Sequence, residues 1–234
     1  MPVNCLLYYI TDRTTFPGDE QTRRTRLLDK IAEAASAGVD YIQLREKDLS
    51  TRDLETLARE AVKIVRENQK LTGDIRKRPT LLINSRVDLA LAADVHGVHL
   101  PANDISPEDV RLTWGKLINR NDANSAIQKQ LQAPVISIAC HSPEDVTHAA
   151  EAGVTLALFA PVFEKKDARE VTAQGLAKLQ QAAFATIPVL ALGGVTLENA
   201  DSCLRAGAAG IAAIRLFQEN EIQAVVHSLR RKPA

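Results

Sequence analysis

The sequence predicts an α/β fold, a single (β/α)₈ or TIM barrel. Three observations carry that prediction. The length, 234 residues, is near that of one barrel of eight strand–helix units. Short apolar runs alternate with longer amphipathic stretches, the pattern of parallel βαβ units. A phrase also recurs, in which a helix-like stretch ends in Ala-Gly and a short apolar run follows. It reads Ala37-Gly38-Val39, Ala152-Gly153-Val154 and Ala206-Gly207-Ala208, with a looser copy at Ala93-Asp94-Val95. Glycine just past a helix end supplies the left-handed cap, and the chain then turns into a buried strand.

Eight strands are expected at Leu6–Ile10, Tyr41–Arg45, Thr80–Asn84, Gly97–Leu100, Val135–Ala139, Leu156–Phe159, Val189–Leu192 and Gly210–Ile214. Helices are expected over 22–37, 51–69, 86–93, 107–118, 143–152, 173–184, 197–206 and 217–229. Eight repeated units favour a closed barrel over a doubly wound open sheet, the main competitor. No composition shift marks a boundary, so residues 1–234 read as one domain. The stretch 117–132 is polar and longer than a barrel loop needs, and reads as a surface insertion.

Composition narrows the function classes. Apolar residues make up 45% and charged residues 25%, a globular balance. Lys plus Arg equals Asp plus Glu at 29 each, which removes the broad electrostatic case for nucleic acid or a membrane surface as partner. No apolar run approaches the roughly 20 residues of a membrane span. The N-terminal run is too short for a signal h-region and lacks a basic lead, so a cytoplasmic location is expected. Cys5, Cys140 and Cys203 are far apart and without metal-ligand spacing, and read as buried free thiols. The oligomeric state is left open, a homo-oligomer included.

In a barrel of this kind function lies where strands end and helices begin. Leu192-Gly193-Gly194-Val195-Thr196 is read as a strand end opening a helix, where backbone N–H groups and the helix dipole attract a phosphate. Arg215 follows the eighth strand. Period-two geometry aims Gln43, Arg45 and Lys47 to one side of the second strand end, three donors suited to a phosphate or pyrophosphate. His141 follows the fifth strand and precedes the cap Ser142-Pro143, so it can move protons near neutral pH. His99 is expected to face the barrel interior, while His148 and His227 read as solvated or structural. Cys140 and His141 are adjacent and point to opposite faces, so they do not form a nucleophile pair.

Taken in order, Ile10-Thr11-Asp12, Gln43-Leu44-Arg45-Glu46-Lys47, Asn84-Ser85-Arg86-Val87-Asp88, Gly97-Val98-His99-Leu100, His141-Ser142, Pro161-Val162-Phe163 and Leu192-Gly193-Gly194-Val195 resemble the thiamine-phosphate synthase/TenI family. The resemblance runs from Leu7 to about Phe217. It implies a (β/α)₈ fold and one of two activities. The synthase joins hydroxymethylpyrimidine pyrophosphate to thiazole phosphate and releases pyrophosphate with Mg²⁺ present. The TenI-type tautomerase isomerises a carboxythiazole phosphate by proton transfer, with no cofactor.

By the same resemblance Gln43, Arg45, Lys47 and Asn84 surround the pyrimidine pyrophosphate, Asp104 is a magnesium carboxylate in a synthase, Gly194 belongs to the thiazole-phosphate site, and His141 transfers the proton in a tautomerase. Three departures stand out. The family's Asn-Asp-Arg reads Asn84-Ser85-Arg86, so a carboxylate becomes a hydroxyl, which hard Mg²⁺ binds less well. The Thr-Xaa-Thr-Lys loop reads Phe163-Glu164-Lys165-Lys166-Asp167. Asp104 lacks the Gly-Gln pair that precedes it in the synthase. These departures favour the tautomerase, with the synthase and a non-catalytic phosphate-ligand binder as alternatives.

Overall fold

The computed structural model describes residues 5–72, 79–118, 133–164 and 172–230. Eight parallel strands close into a barrel in sequence order: β1 Leu6–Ile10, β2 Tyr41–Leu44, β3 Thr80–Asn84, β4 Gly97–Leu100, β5 Val135–Cys140, β6 Leu156–Phe159, β7 Val189–Leu192 and β8 Gly210–Ala213. Closure is made by β1 against β8, with Leu6 beside Gly210 and Tyr9 beside Ala213. The open sheet is thereby excluded. The connecting helices are α1 Glu20–Ala37, α2 Thr51–Thr72, α3 Val87–Ala92, α4 Pro107–Ile118, α5 Pro143–Glu151, α6 Gly175–Ala182 and α7 Ala200–Arg205, followed by α8 Arg215–Gln218 and α9 Ile222–Arg230. Among the described residues, no helix is long and apolar enough to cross a membrane.

Period-two alternation divides each strand between two cores. Leu7, Tyr9, Ile42, Leu81, Ile83, Val98, Ile136, Phe159, Ala191 and Ile211 face the helices and form the larger cluster. Tyr8, Ile10, Leu82, Leu156, Leu158, Leu190 and Ala212 fill the barrel interior as a second, separate cluster. The Ala-Gly phrase works as expected. Gly38 sits at φ 85° and its N–H bonds Ala34 O, ending α1 so that Val39 can lead into β2.

Several boundaries move. The first helix starts at Glu20, because Asp19 caps it by accepting from Thr22 N at 2.8 Å. The last expected helix, 217–229, is two helices. Asn220 Nδ2 donates to Leu216 O at 3.0 Å, and Glu33 Oε1 accepts from Ile222 N at 2.5 Å, so the chain turns between them. The break leaves Gln218 buried beneath the barrel mouth, where its amide bonds both N and O of Asp12 at 3.0 Å. The start of the 117–132 insertion belongs to α4, and residues 119–132 lie outside the described residues.

Closure has a steric condition that a single methyl group tests. A Cβ on Gly210 would lie 2.0 Å from Leu6 O, on the strand pair that closes the barrel. Gly210→Ala is therefore expected to cost about 3 kcal/mol or more, the upper end of overpacking penalties. Urea unfolding checks this. A loss under about 1 kcal/mol would mean that the β1–β8 seam can widen.

Candidate active site at the barrel mouth

The strand ends meet at one mouth, and the residues there are held from below. Thr11 and Arg13 follow β1, and Glu46 and Asp48 follow β2. Glu46 is only 4% exposed, and its carboxylate accepts from Thr11 Oγ1 at 2.6 Å, Arg13 N at 3.0 Å and Arg13 Nη1 at 3.2 Å. Arg13, 3% exposed, also takes Asp48 in a two-point bond at 2.6 and 2.8 Å and Glu20 at 2.6 Å. Burial pushes Glu46 above the usual carboxylate range, opposed by its bonds from Thr11 and Arg13. The bond to Asp48, ahead of those to Glu20 and Glu46, holds the Arg13 guanidinium firmly charged.

This network corrects the expected alternation of Gln43, Arg45 and Lys47. β2 ends at Leu44, and Glu46 is drawn into the Arg13 ion pair. Lys47 then falls in an exposed turn and not on an extended strand. Gln43 points inward and is 1% exposed. Its Oε1 accepts from Tyr8 OH at 3.1 Å, and its Nε2 donates to Asn84 Oδ1 at 2.9 Å. Arg45 is half-buried at the rim, and its backbone N–H donates to Thr11 Oγ1 at 3.0 Å.

Across the mouth, Asn84 Nδ2 donates to Ser85 Oγ at 3.1 Å. Ser85 stands at φ 62°, the left-handed region, which Asn and Asp tolerate better than most side chains. Arg86 is paired to Asp88 through two bonds, at 2.8 and 2.6 Å. His99 faces inward, 6% exposed, with Nδ1 2.9 Å from Ser137 Oγ. Burial, and then the nearby Arg45 cation, lowers its pKa to about 3, while Asp104 pulls the other way. His99 therefore stays neutral. Asp104 is exposed and accepts from Ile105 N at 2.8 Å.

His141 is exposed at the end of β5, with Nδ1 2.7 Å from Ala160 O. A carbonyl only accepts, so Nδ1 carries the proton and Nε2 of the neutral ring is left with its lone pair. Cys140 behind it is 1% exposed, and burial pushes its thiol up to about 12. A thiolate nucleophile is excluded there. Cys5 and Cys203 are likewise buried and free. His148 and His227 are exposed on their helices.

The Gly193-Gly194 reading needs a correction. The next helix, α7, begins only at Ala200, so these glycines do not open it. They turn the chain at φ 95° and 66°. A Cβ on Gly194 would lie 2.8 Å from Phe163 Cβ and 2.9 Å from Glu164 O. Phe163 N donates to Gly193 O at 3.1 Å. The glycines thus seat the loop after β6 against the loop after β7. Asn199 fixes that turn, since its Oδ1 accepts from Thr196 N at 2.8 Å and its Nδ2 donates to Gly194 O at 2.9 Å. Arg215 opens α8 and is exposed beside Glu219, at 4.0 Å. Lys165, Lys166 and Asp167 lie outside the described residues.

For a magnesium ion the donors at hand are the Asp104 carboxylate and the Ser85 hydroxyl. Among the described residues no three His, Cys, Asp or Glu side chains cluster as a metal cage. One exposed carboxylate would hold Mg²⁺ only together with oxygens from substrate and water. Sequence reasoning missed Tyr8, Ser137 and the Arg13–Glu46 pair. A signal existed for Ser137, a polar residue at an inward position of an otherwise apolar strand.

Comparison with known proteins adds the family. The family model described as thiamine monophosphate synthase matches residues 7–119 and 117–217. A relative named putative thiamine-phosphate synthase 2, from Aquifex aeolicus, is 33% identical over 214 residues, 91% of this chain and 97% of its own. A thiamine-phosphate synthase from Clostridium novyi is 33% identical, covering 94% of each chain. A solved thiamine phosphate pyrophosphorylase from Pyrococcus furiosus superposes with a TM-score of 0.72 at 26% identity, over 98% of this chain and 96% of that one.

Removing the guanidinium under the mouth should be costly. Arg13→Met leaves Glu46 buried without its cation, and a loss of about 3–5 kcal/mol is expected. Arg13→Met with Glu46→Gln should recover part of it. Chemical denaturation of the single and double variants reads both; equal stability of the two would mean that buried Glu46 does not need the Arg13 cation.

Proposed function

The chain belongs to the thiamine-phosphate synthase/TenI family of thiamine biosynthesis, and from that premise we propose that it is a thiamine-phosphate synthase. It joins hydroxymethylpyrimidine pyrophosphate to thiazole phosphate and releases pyrophosphate. The observation that carries this reading is the β2 strand end. The Arg13–Glu46 pair anchors it, with Arg45 half-buried at the rim and Lys47 in the exposed turn just beyond. Two cations on this short segment suit a pyrophosphate, whereas isomerising a monophosphate does not call for both. The names of the relatives support the same choice over the tautomerase expected from sequence.

In this reading Gln43 and Asn84 form a fixed polar floor, and Arg45 and Lys47 neutralise the departing pyrophosphate. Asp104, with Ser85 beside Asn84, would hold Mg²⁺, which when bound offsets leaving-group charge. The thiazole phosphate would sit on the side of Gly193, Gly194 and Arg215.

Two observations favour a second reading, the thiazole tautomerase. Ser85 supplies no carboxylate, and His141 is oriented as a general base by Ala160 O.

One pair of assays separates them. Purified protein with both synthase substrates and Mg²⁺ is expected to form thiamine phosphate, and Ser85→Asp to raise that turnover about tenfold, since Asp suits the backbone at this position and restores a hard ligand. The proposal fails if neither protein forms thiamine phosphate while a carboxythiazole phosphate is isomerised. In that second reaction His141→Asn should lower the rate about 10²- to 10⁴-fold, the usual contribution of a general base. Synthase turnover should be far less sensitive to that change.

A further inference from the structure

The barrel axis carries polar groups that the proposed reaction has not used. Tyr8 and Ser137 are fully buried, and Gln43 and His99 nearly so. They form one chain across the interior, from β2 through β1 to β5 and β4. Tyr8 OH lies 3.1 Å from Gln43 Oε1 and 2.9 Å from Ser137 Oγ, and Ser137 Oγ lies 2.9 Å from His99 Nδ1. Gln43 Nε2 continues it to Asn84 Oδ1, and Asn84 Nδ2 to Ser85 Oγ, at the mouth.

Counting protons gives the chain a direction. Gln43 Oε1 only accepts, so the single Tyr8 proton points to it. The Tyr8 oxygen must then accept from Ser137 Oγ–H. The single Ser137 proton is thereby committed, and Ser137 Oγ accepts from His99 Nδ1–H. A neutral imidazole has one N–H, so His99 Nε2 is left with a lone pair. Reversal would require the Gln43 and Asn84 amides to turn over together. Burial raises the Tyr8 pKa and lowers that of His99, which keeps both groups neutral.

We propose that this one-way chain holds His99 as its Nδ1–H tautomer, so that Nε2 accepts a hydrogen bond from an N–H or O–H of the heteroaromatic substrate on the barrel axis. Tyr8 and Ser137 are its positioning residues. The ligand half of the inference rests on the barrel mouth being the substrate site of the proposed synthase. The tautomer half does not, because it is read in the ligand-free protein.

The test is nuclear magnetic resonance of the full chain labelled with ¹⁵N at its five histidines, with His99→Asn assigning the signal. Expected is a protonated Nδ1 and a bare Nε2. Tyr8→Phe frees the Ser137 hydroxyl to donate to Nδ1, and should invert the tautomer. If that variant does not fold, Ser137→Ala should lose the Nδ1–H preference and Ser137→Thr should restore it. An Nε2–H tautomer in the unaltered protein, or a tautomer indifferent to Ser137→Ala, overturns the proposal. Calorimetry with hydroxymethylpyrimidine pyrophosphate reads the ligand half. Tyr8→Phe should weaken binding roughly five- to tenfold, about one hydrogen bond. Unchanged affinity with an inverted tautomer removes the contact to Nε2. No binding by the unaltered protein, with the tautomer as expected, sinks the synthase reading and leaves the relay standing.

Discussion

Closure of β1 on β8 is the constraint from which the rest follows. A closed parallel barrel has no free edge, and everything pointing inward must be satisfied inside. Apolar side chains from β1, β3, β6, β7 and β8 fill most of that space. The inward polar side chains on β2, β4 and β5 are Gln43, His99 and Ser137, which Tyr8 joins into one hydrogen-bonded unit. Left unpaired, each of these groups would cost about 1–3 kcal/mol. Paired, they form a polar floor under the mouth.

The same closure brings distant strand ends together, and a few short polar links hold them. Gln218 at the end of α8 binds the backbone of Asp12 after β1, and Arg13 after β1 binds Glu46 and Asp48 after β2. The loops after β6 and β7 lock through Phe163, Gly193 and Gly194. A rim built this way carries Arg45 just past β2 and His141 just past β5.

Much of this was legible in the sequence, for identifiable reasons. Strand positions could be read because a barrel strand needs a short run of apolar residues, and the Ala-Gly phrase marks where helices stop. His99 facing inward and Cys140 turned away from His141 both follow from alternation. Alternation failed beyond Leu44, where the chain stops being extended and Glu46 is drawn to Arg13. It also gave no warning that the Gly193-Gly194 turn is followed by a non-helical stretch, since glycine serves a packed loop and a helix start equally well. Glu46 looked like one acidic residue among charged neighbours; only its partner, 33 residues away, makes it a buried ion pair.

By itself, then, the sequence determined the architecture and the family, because both rest on local features repeated in order: hydrophobic period, helix caps and short motifs at strand ends. Tertiary structure alone decided which polar side chains meet. Tyr8 reaches Ser137 across 129 residues of chain, and Gln43 is spent on Tyr8 and Asn84 rather than offered freely at the rim. Hydrogen bonds act over about 3 Å in space, and nothing local in a sequence encodes a contact made only when eight strands close.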